Sequence, residues 1–373
     1  MNMDINSRPN RLYVDLGAIE YNIRAINQKL NPRTKVMAVV KASGYGSGAK
    51  NIVNTLMDNG VEHLAVATAE EGIELREQGI KLPIIVLTQP LEADLNNIVE
   101  YDLIPAVADE ELIKNLDNIS KEKDKVTRIH VEVDTGMGRI GVQIDEVVSF
   151  IIQVKAFKNI EIEGIFTHFA GSDTDEEYTK LQISRFKKVL GYLKDSGVEI
   201  SLTHACNSAG IINYPEAHYD LVRPGLMIYG YYPDESLKDK IYLKPSLSLM
   251  TRVTFIKEVE AGTPISYNCT FVTKSKSKIA TIPIGYADGC RRELSNKGEV
   301  IINGMRAPII GNVCMNATMV DVTNISDVKV GDEVILFDAK KLTVEEIAHK
   351  CGTINYEIIS TVGSSVPRVY LKP

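Results

Sequence analysis

Residues 63–78 read HLAVATAEEGIELREQ. The run 63–67 is apolar and short, as a buried strand is. Thr68 then opens a helix-spaced stretch, with Glu71 three residues on, the spacing of a capping box. A strand passing straight into a helix of this length is half of a parallel βαβ unit. The same alternation runs outward in both directions, from about residue 12 to 245. Strand-like runs stand at 35–40, 84–88, 104–107, 128–133, 161–167, 201–204 and 220–222, and helical patterns at 68–78, 109–116 and 176–194. Eight such units in about 230 residues is the size of a (β/α)8 barrel. A doubly wound open sheet is the structural alternative. The glycine cluster at 44–48 is no dinucleotide fingerprint, because GxGxxG spacing is absent.

After Leu243-Lys244-Pro245 the texture changes. Short β-rich runs at 250–259, 278–282, 299–302, 307–310, 319–322 and 333–337 are separated by turn signals at 261–264, 288–289, 303–304 and 331–332. Only 344–351 has a helical pattern. The expected organisation is α/β plus β: residues 1–245 form a TIM-type barrel and 246–373 a mostly-β domain. With no repeat, low-complexity stretch or flexible linker, the two are expected to pack together.

Composition narrows the function. The chain has 373 residues, with 42 Lys+Arg against 49 Asp+Glu, a formal net charge of −7, and 44% hydrophobic residues. That is a globular composition without the basic balance of a nucleic-acid binder. Apolar stretches such as 82–87, broken by Pro83, fall far short of the roughly 20 residues a membrane span needs. Residues 1–11 are polar, without a signal peptide's apolar core. Five cysteines without CxxC spacing indicate neither a disulfide framework nor a zinc site. The expectation is a cytoplasmic protein with a small-molecule substrate and neither nucleic-acid nor membrane partners.

Barrel enzymes build their sites at the carboxyl ends of the strands. There the first run delivers Lys41 into Ala42-Ser43-Gly44-Tyr45-Gly46, and a lysine whose charge is suppressed is a nucleophile or a Schiff-base former. Alone, such a lysine is more often solvated. The fifth run ends in Asp134-Thr135-Gly136-Met137-Gly138-Arg139, where a guanidinium fork after a glycine turn suits an anion. The sixth leads to His168, the seventh to Asn207-Ser208 and the eighth to Arg223-Pro224-Gly225 before Leu226. Any one of these is unremarkable; together they gather polar groups on one rim. The turn after the eighth strand also offers backbone N–H groups of the kind that bind phosphate in barrels.

On these motifs, the chain resembles the alanine racemases, fold-type III pyridoxal-phosphate enzymes, from near its start to its end. The resemblance is carried by Val40-Lys41-Ala42-Ser43-Gly44-Tyr45-Gly46, Asp134-Thr135-Gly136-Met137-Gly138-Arg139, Thr167-His168-Phe169-Ala170, Asn207-Ser208 and Val222-Arg223-Pro224-Gly225. It continues through Pro283-Ile284-Gly285-Tyr286-Ala287-Asp288-Gly289, Cys314-Met315-Asn316, Gly352-Thr353-Ile354-Asn355-Tyr356-Glu357 and Val366-Pro367-Arg368. It implies interconversion of L- and D-alanine, supplying D-alanine for bacterial cell-wall peptidoglycan, with pyridoxal 5'-phosphate as cofactor.

The resemblance also implies roles. Lys41 would hold the cofactor covalently and serve as one Cα base; Tyr267, from the second subunit of a head-to-tail homodimer, would be the other. A racemase needs two, because the proton must leave one face and return on the opposite one. Arg223 would face the pyridine nitrogen, and His168 would orient Arg223 and link it towards Tyr267. Tyr45, Ser208, Tyr356 and the N–H groups of Gly225 and Leu226 would hold the phosphate, with Asn207 beside them. Arg139 would bind the substrate carboxylate, helped by the Met315 N–H. The competing implications are a racemase of serine or of broad specificity, a fold-type III decarboxylase, and a non-catalytic cofactor-binding protein. Arg223 opposes the decarboxylase, which pairs the ring nitrogen with an acid, and the second domain with Tyr267 opposes the non-catalytic protein.

Four positions depart from the family's pattern: Glu132 stands where a carbamylated lysine commonly braces the arginine, Ser47 replaces a histidine, Asn316 an aspartate and Cys290 an aromatic residue. The first preserves a negative charge, so Glu132 is expected to brace Arg139 without carbon dioxide; the others bear on substrate preference and access to the site.

Overall fold

The computed structural model describes residues 9–372, so the part of the polar amino end at 1–8 lies outside the described residues. The chain divides into two compact units. The first comprises residues 19–44 and 49–243. Its strands are β1 (Lys35–Val39), β2 (His63–Val66), β3 (Ile84–Val86), β4 (Ile104–Val107), β5 (Thr127–Asp134), β6 (Ile160–Phe166), β7 (Leu202–His204) and β8 (Leu221–Val222). Each pairs in parallel with the next, and β8 closes on β1 through Leu221↔Lys35 and Val222↔Val36. Closure excludes the open sheet. β2, β3 and β4 are buried along their whole length, which is why they read as unbroken apolar runs.

The helices show where local pattern suffices. Asp109 caps Glu110–Glu122 by accepting from Leu112 N at 2.8 Å, and Asp175 caps Glu176–Asp195 through Tyr178 N at 2.9 Å. Thr68 caps Ala69–Glu77, accepting from Glu71 N at 3.4 Å. The capping box is only half formed: the Glu71 carboxylate reaches past the cap to Ala67 N at 2.8 Å and to Ala42 N at 2.6 Å. Helices at Ala49–Asp58, Leu95–Glu100, Val147–Val154 and Ser208–Asn213 complete the alternation. Val147–Val154 is rich in β-branched residues, yet Val147, Phe150, Ile151 and Val154 bury one helical face. Before β1, the helix Leu16–Asn27 returns to the last barrel turn, where Asn22 Nδ2 donates to the Ile228 carbonyl at 3.0 Å.

The second unit gathers the residues up to Ala18, Tyr45–Gly48 and everything from Lys244. Its six-stranded sheet runs Met305–Pro308, Glu299–Ile302, Glu333–Phe337, Leu247–Arg252, Arg11–Asp15, Arg368–Leu371. Phe255–Val259, Ser277–Ile282 and Thr318–Asp321 form an antiparallel sheet whose core is Ile265, Ile279 and Ile310. The expected single run at 250–259 is two strands. Val253 N bonds to Asp332 O and Thr254 N to Thr281 O, so the chain changes sheets between them. Asn303 and Gly304, at φ 49° and 80°, make the tight hairpin turn between Glu299–Ile302 and Met305–Pro308.

The boundary at 245/246 assigns Arg11–Asp15 and Tyr45–Gly48 to the barrel, whereas both cluster with the second unit. Arg11–Asp15 pairs antiparallel with Leu247–Arg252 and parallel with Arg368–Leu371. A barrel closed by eight strands has no edge left to offer it. Gly46 O accepts from Arg368 Nε at 3.0 Å and Ser47 O from the Tyr370 hydroxyl at 3.0 Å, which fixes that short segment. Among the described residues, no helix is long and apolar enough to cross a membrane.

Candidate active site

Immediately after β1 the backbone turns left-handed. Ala42, Ser43, Gly44, Tyr45 and Gly46 all have positive φ, at 52°, 51°, 65°, 52° and 84°. Gly44 N closes the turn on Val40 O at 2.7 Å. Each L residue held this way costs roughly 1–2 kcal/mol. Strain of this kind clusters at functional sites. Lys41 stands at the head of the turn, half-buried. Burial first, then the nearby Arg139 charge, lowers its pKa, with Glu71 acting in the opposite sense. Glu71 ties the β1 and β2 loops together through its bonds to Ala42 N and Ala67 N. Its role escaped sequence reading because the capping-box spacing explained it locally.

At the end of β5, Asp134 Oδ1 accepts from Gly136 N at 2.9 Å and Gly138 N at 3.1 Å, shaping the loop that carries Arg139. Arg139 is exposed, but one of its terminal nitrogens lies 3.6 Å from Glu132 Oε1. This is an ion pair, slightly too long for a hydrogen bond. Glu132 itself is 1% exposed, and its Oε2 has no hydrogen-bond partner. Burial raises the Glu132 carboxyl to about 7 despite the opposing pull of Arg139 and Arg223. The expected juxtaposition of Glu132 and Arg139 is thus present.

Arg223, at the end of β8, is 2% exposed. Its terminal nitrogens donate to Thr167 O at 2.8 Å, Ala205 O at 2.9 Å and His204 Nδ1 at 2.5 Å. Burial brings its pKa down to about 10, which leaves it charged near neutrality. The contact to His168 Nδ1 is the longest, at 3.4 Å, so His204 is the closer imidazole. His168 is held well below its ordinary pKa by burial and by the charges of Arg223, Arg139 and Lys41. Sequence reading gave His168 a role and left His204 without one; its only signal was a histidine at the end of a short strand.

Ser208 Oγ accepts from Gly225 N at 3.0 Å and lies 3.5 Å from Met227 N. With Leu226, the first residue of the turn Leu226–Tyr229, these groups bring one hydroxyl and several backbone N–H groups close together. Asn207 is largely occupied in building it: Oδ1 accepts from Gly210 N at 3.0 Å and from Ser172 Oγ at 2.7 Å, and Nδ2 donates to Phe169 O. A suppressed amine can bond to a carbonyl carbon, and the Ser208 cluster suits a phosphate-like anion.

In the second unit, Tyr267 is 71% exposed and Met315 is 56% exposed. Asn312 fixes the Tyr267 backbone: its carbonyl accepts from Ser266 Oγ at 2.6 Å, and its Nδ2 donates to Tyr267 O at 2.7 Å. Ala287 N bonds to Met315 O, and a Cβ on Gly285 would sit 2.4 Å from that oxygen. A cavity of about 510 Å³ opens beside Tyr267, lined by Phe255, Ser266, Cys314 and Met319. The Tyr45 and Tyr356 rings lie 6.2 Å apart. Cys290 is 1% exposed, its thiol against Thr318 Oγ1 and pushed up to about 12 by burial. Its replacement of an aromatic residue is therefore a matter of core packing. Asn316 Nδ2 approaches Asp288 Oδ2 at 3.4 Å.

Fold and rim together define a barrel protein that presents a charge-suppressed lysine among guanidinium groups, followed by a β-rich unit. The sequence model described as alanine racemase, N-terminal domain, matches residues 14–233, and that described as alanine racemase, C-terminal domain, matches residues 246–370. The chain belongs to the alanine racemase family. It is 45% identical over 368 residues to an alanine racemase of Halothermothrix orenii, covering 98% of this chain and 97% of that one. An alanine racemase of Methanococcus maripaludis is 44% identical over 371 residues, covering 98% and 99%. The solved alanine racemase of Clostridium difficile 630 superposes with a TM-score of 0.95 at 37% identity, covering 98% and 96%.

Proposed function

We propose that the chain interconverts L- and D-alanine with pyridoxal phosphate, using Lys41 and Tyr267 as the two bases. Membership of the family supports the reaction. The observation that carries the site is the depressed amine of Lys41 at the head of a strained left-handed turn. The residues of the barrel suit the cofactor: Lys41 would attach its carbonyl carbon, Ser208, Gly225 and Leu226 would hold its phosphate, and Arg223 would address its ring nitrogen; the resemblance adds Tyr45 and Tyr356 to the phosphate's partners. Bound there, pyridoxal phosphate supplies the electron sink that acidifies the Cα–H of the amino acid joined to it.

The chain's own residues do the rest. Lys41 Nζ, with its charge disfavoured by burial and by Arg139, takes the Cα proton from one face. The Tyr267 hydroxyl, exposed on its own chain, is supplied to a second copy and returns a proton to the opposite face. The two exchange duties when the reaction runs backwards. Arg139 holds the substrate carboxylate, aided by the Met315 N–H. Arg223, charged and donor-only, would give a hydrogen bond to the ring nitrogen without surrendering its proton. The working form is a cytoplasmic homodimer that supplies D-alanine for the cell wall.

The test is to incubate the cofactor-loaded protein separately with single enantiomers of alanine, serine, lysine and arginine, in deuterium oxide. Chiral chromatography should show alanine racemised fastest, with deuterium at Cα of the inverted product. Racemisation of another amino acid in its place would overturn the assignment.

A further inference from the structure

A line of polar groups runs behind Arg223, and none but Arg223 has been given a role in that reaction. From the amino-terminal rim of the barrel, Arg128 donates to Glu163 Oε1 at 3.0 Å, with its other terminal nitrogen towards Asp102. Glu163 Oε2 meets His130 Nε2 at 3.2 Å, His130 Nδ1 meets His204 Nε2 at 2.8 Å, and His204 Nδ1 meets Arg223 at 2.5 Å. The strands are adapted to this line. Register skips Glu163 between Ile129↔Ile162 and His130↔Gly164, a bulge that re-aims the carboxylate. A Cβ on Gly164 would stand 2.6 Å from the His130 ring. Phe166 stacks on His204 at 4.6 Å, with the Arg223 guanidinium 5.2 Å from the Phe166 ring centre.

The direction of every bond is determined. A guanidinium only donates, so His204 Nδ1 is bare and its hydrogen is on Nε2. His130 Nδ1 must then accept, which puts its hydrogen on Nε2, facing an acceptor-only carboxylate. We propose that Glu163, His130 and His204 form a one-way hydrogen-bond chain through the barrel that sets the orientation of Arg223, making them positioning residues for the reaction. The proposal rests on the reading of Arg223 as the group that addresses the ring nitrogen. Burial lowers the pKa of both imidazoles, which keeps each neutral with one donor and one acceptor.

The chain predicts its own reversal. In Glu163→Gln, Arg128 requires an oxygen, so the amide turns its NH2 towards His130 Nε2. His130 and His204 must then move their hydrogens to Nδ1, and His204 presents a donor to the donor Arg223. Removing Arg128 as well, in Glu163→Gln/Arg128→Ala, frees the amide to offer its oxygen and restores the original direction.

Ring-nitrogen NMR shifts of the full-length protein labelled with 15N-histidine read these tautomers with or without cofactor. The expected results are Nε2–H for both histidines in the wild type, Nδ1–H in Glu163→Gln and Nε2–H again in the double variant. In the loaded enzyme, kcat should fall by about tenfold in the single variant, the loss expected for a charge-assisted hydrogen bond, and recover in the double one. Nδ1–H on His204 in the wild type, an unchanged tautomer in Glu163→Gln, or inversion without loss of kcat would each overturn the proposal. The wild-type spectrum decides even where a variant fails to fold. Correct tautomers in a protein that does not take up pyridoxal phosphate would overturn the proposed function and leave the chain standing.

Discussion

Replacing Glu132 with glutamine should abolish a loss of stability that the wild type suffers as pH rises, and make the protein worse at its task. The Glu132 carboxyl is buried, with one oxygen lacking any partner, and is raised from 4.5 to about 7. Folding therefore favours its protonated form. The stability this group contributes is complete below an unfolded value near 4.5 and is lost as pH rises through about 7. At about 1.4 kcal/mol per pH unit, the loss amounts to about 3 kcal/mol. Glutamine has nearly the same shape and does not titrate. Its fixed burial cost cancels when the two proteins are compared across pH. Urea unfolding at constant protein and cofactor concentration should show the variant gaining about 3 kcal/mol over the wild type between pH 4.5 and pH 8. The same substitution removes the charge 3.6 Å from Arg139. The KM for alanine near pH 8 should rise by about tenfold, the effect of a single ion pair to a buried charge. In the wild type KM should climb as pH falls below about 7, and bicarbonate depletion should change nothing. Parallel stability curves, or an unaltered KM, would refute the reasoning.

Borohydride reduction of the yellow, cofactor-loaded protein should fix the label on Lys41, and peptide mapping to any other lysine would remove it from the site. Mixed Lys41→Ala and Tyr267→Phe protomers should regain activity through one intact site per heterodimer, whereas each homodimer stays inactive or slow; verified heterodimers without activity would argue against a shared site. Tyr267→Phe alone should slow the two directions of proton transfer unequally, as measured by solvent deuterium entering each enantiomer. Gly285→Ala should place a methyl group 2.2 Å from Cys314 O and 2.4 Å from Met315 O. The Met315 segment must move, so KM for alanine should rise and urea stability fall by about 1–3 kcal/mol; unchanged values for both would show that the loop yields freely.

The barrel was readable because strands such as β2, β3 and β4 are buried along their whole length and helix starts are set by caps such as Thr68, Asp109 and Asp175. Val147–Val154 was hidden by its composition, since Val and Ile favour strands and only burial of one face makes it a helix. Arg11–Asp15 could not be assigned locally, because its partners lie at Leu247–Arg252 and Arg368–Leu371. Among the site residues, Lys41, Arg139, His168, Ser208 and Arg223 were visible as polar groups at strand ends. Glu163, His130 and His204 were not, because a buried histidine in a strand looks the same whether it fills space or conducts a bond direction. Only the donor–acceptor geometry separates the two.

The sheet of the second unit has a temporal consequence. Its strand Arg11–Asp15 is synthesised early, but it is flanked by Leu247–Arg252 and by Arg368–Leu371, which emerge late. While the barrel strands are being made, the apolar face of Leu12 and Val14 has neither neighbour, and an unpaired edge of this kind invites pairing with other chains. A polypeptide released before Arg368 would keep that edge open permanently. Premature termination only a few residues short should therefore yield aggregation during translation, even with the whole barrel and every polar group of its rim already made.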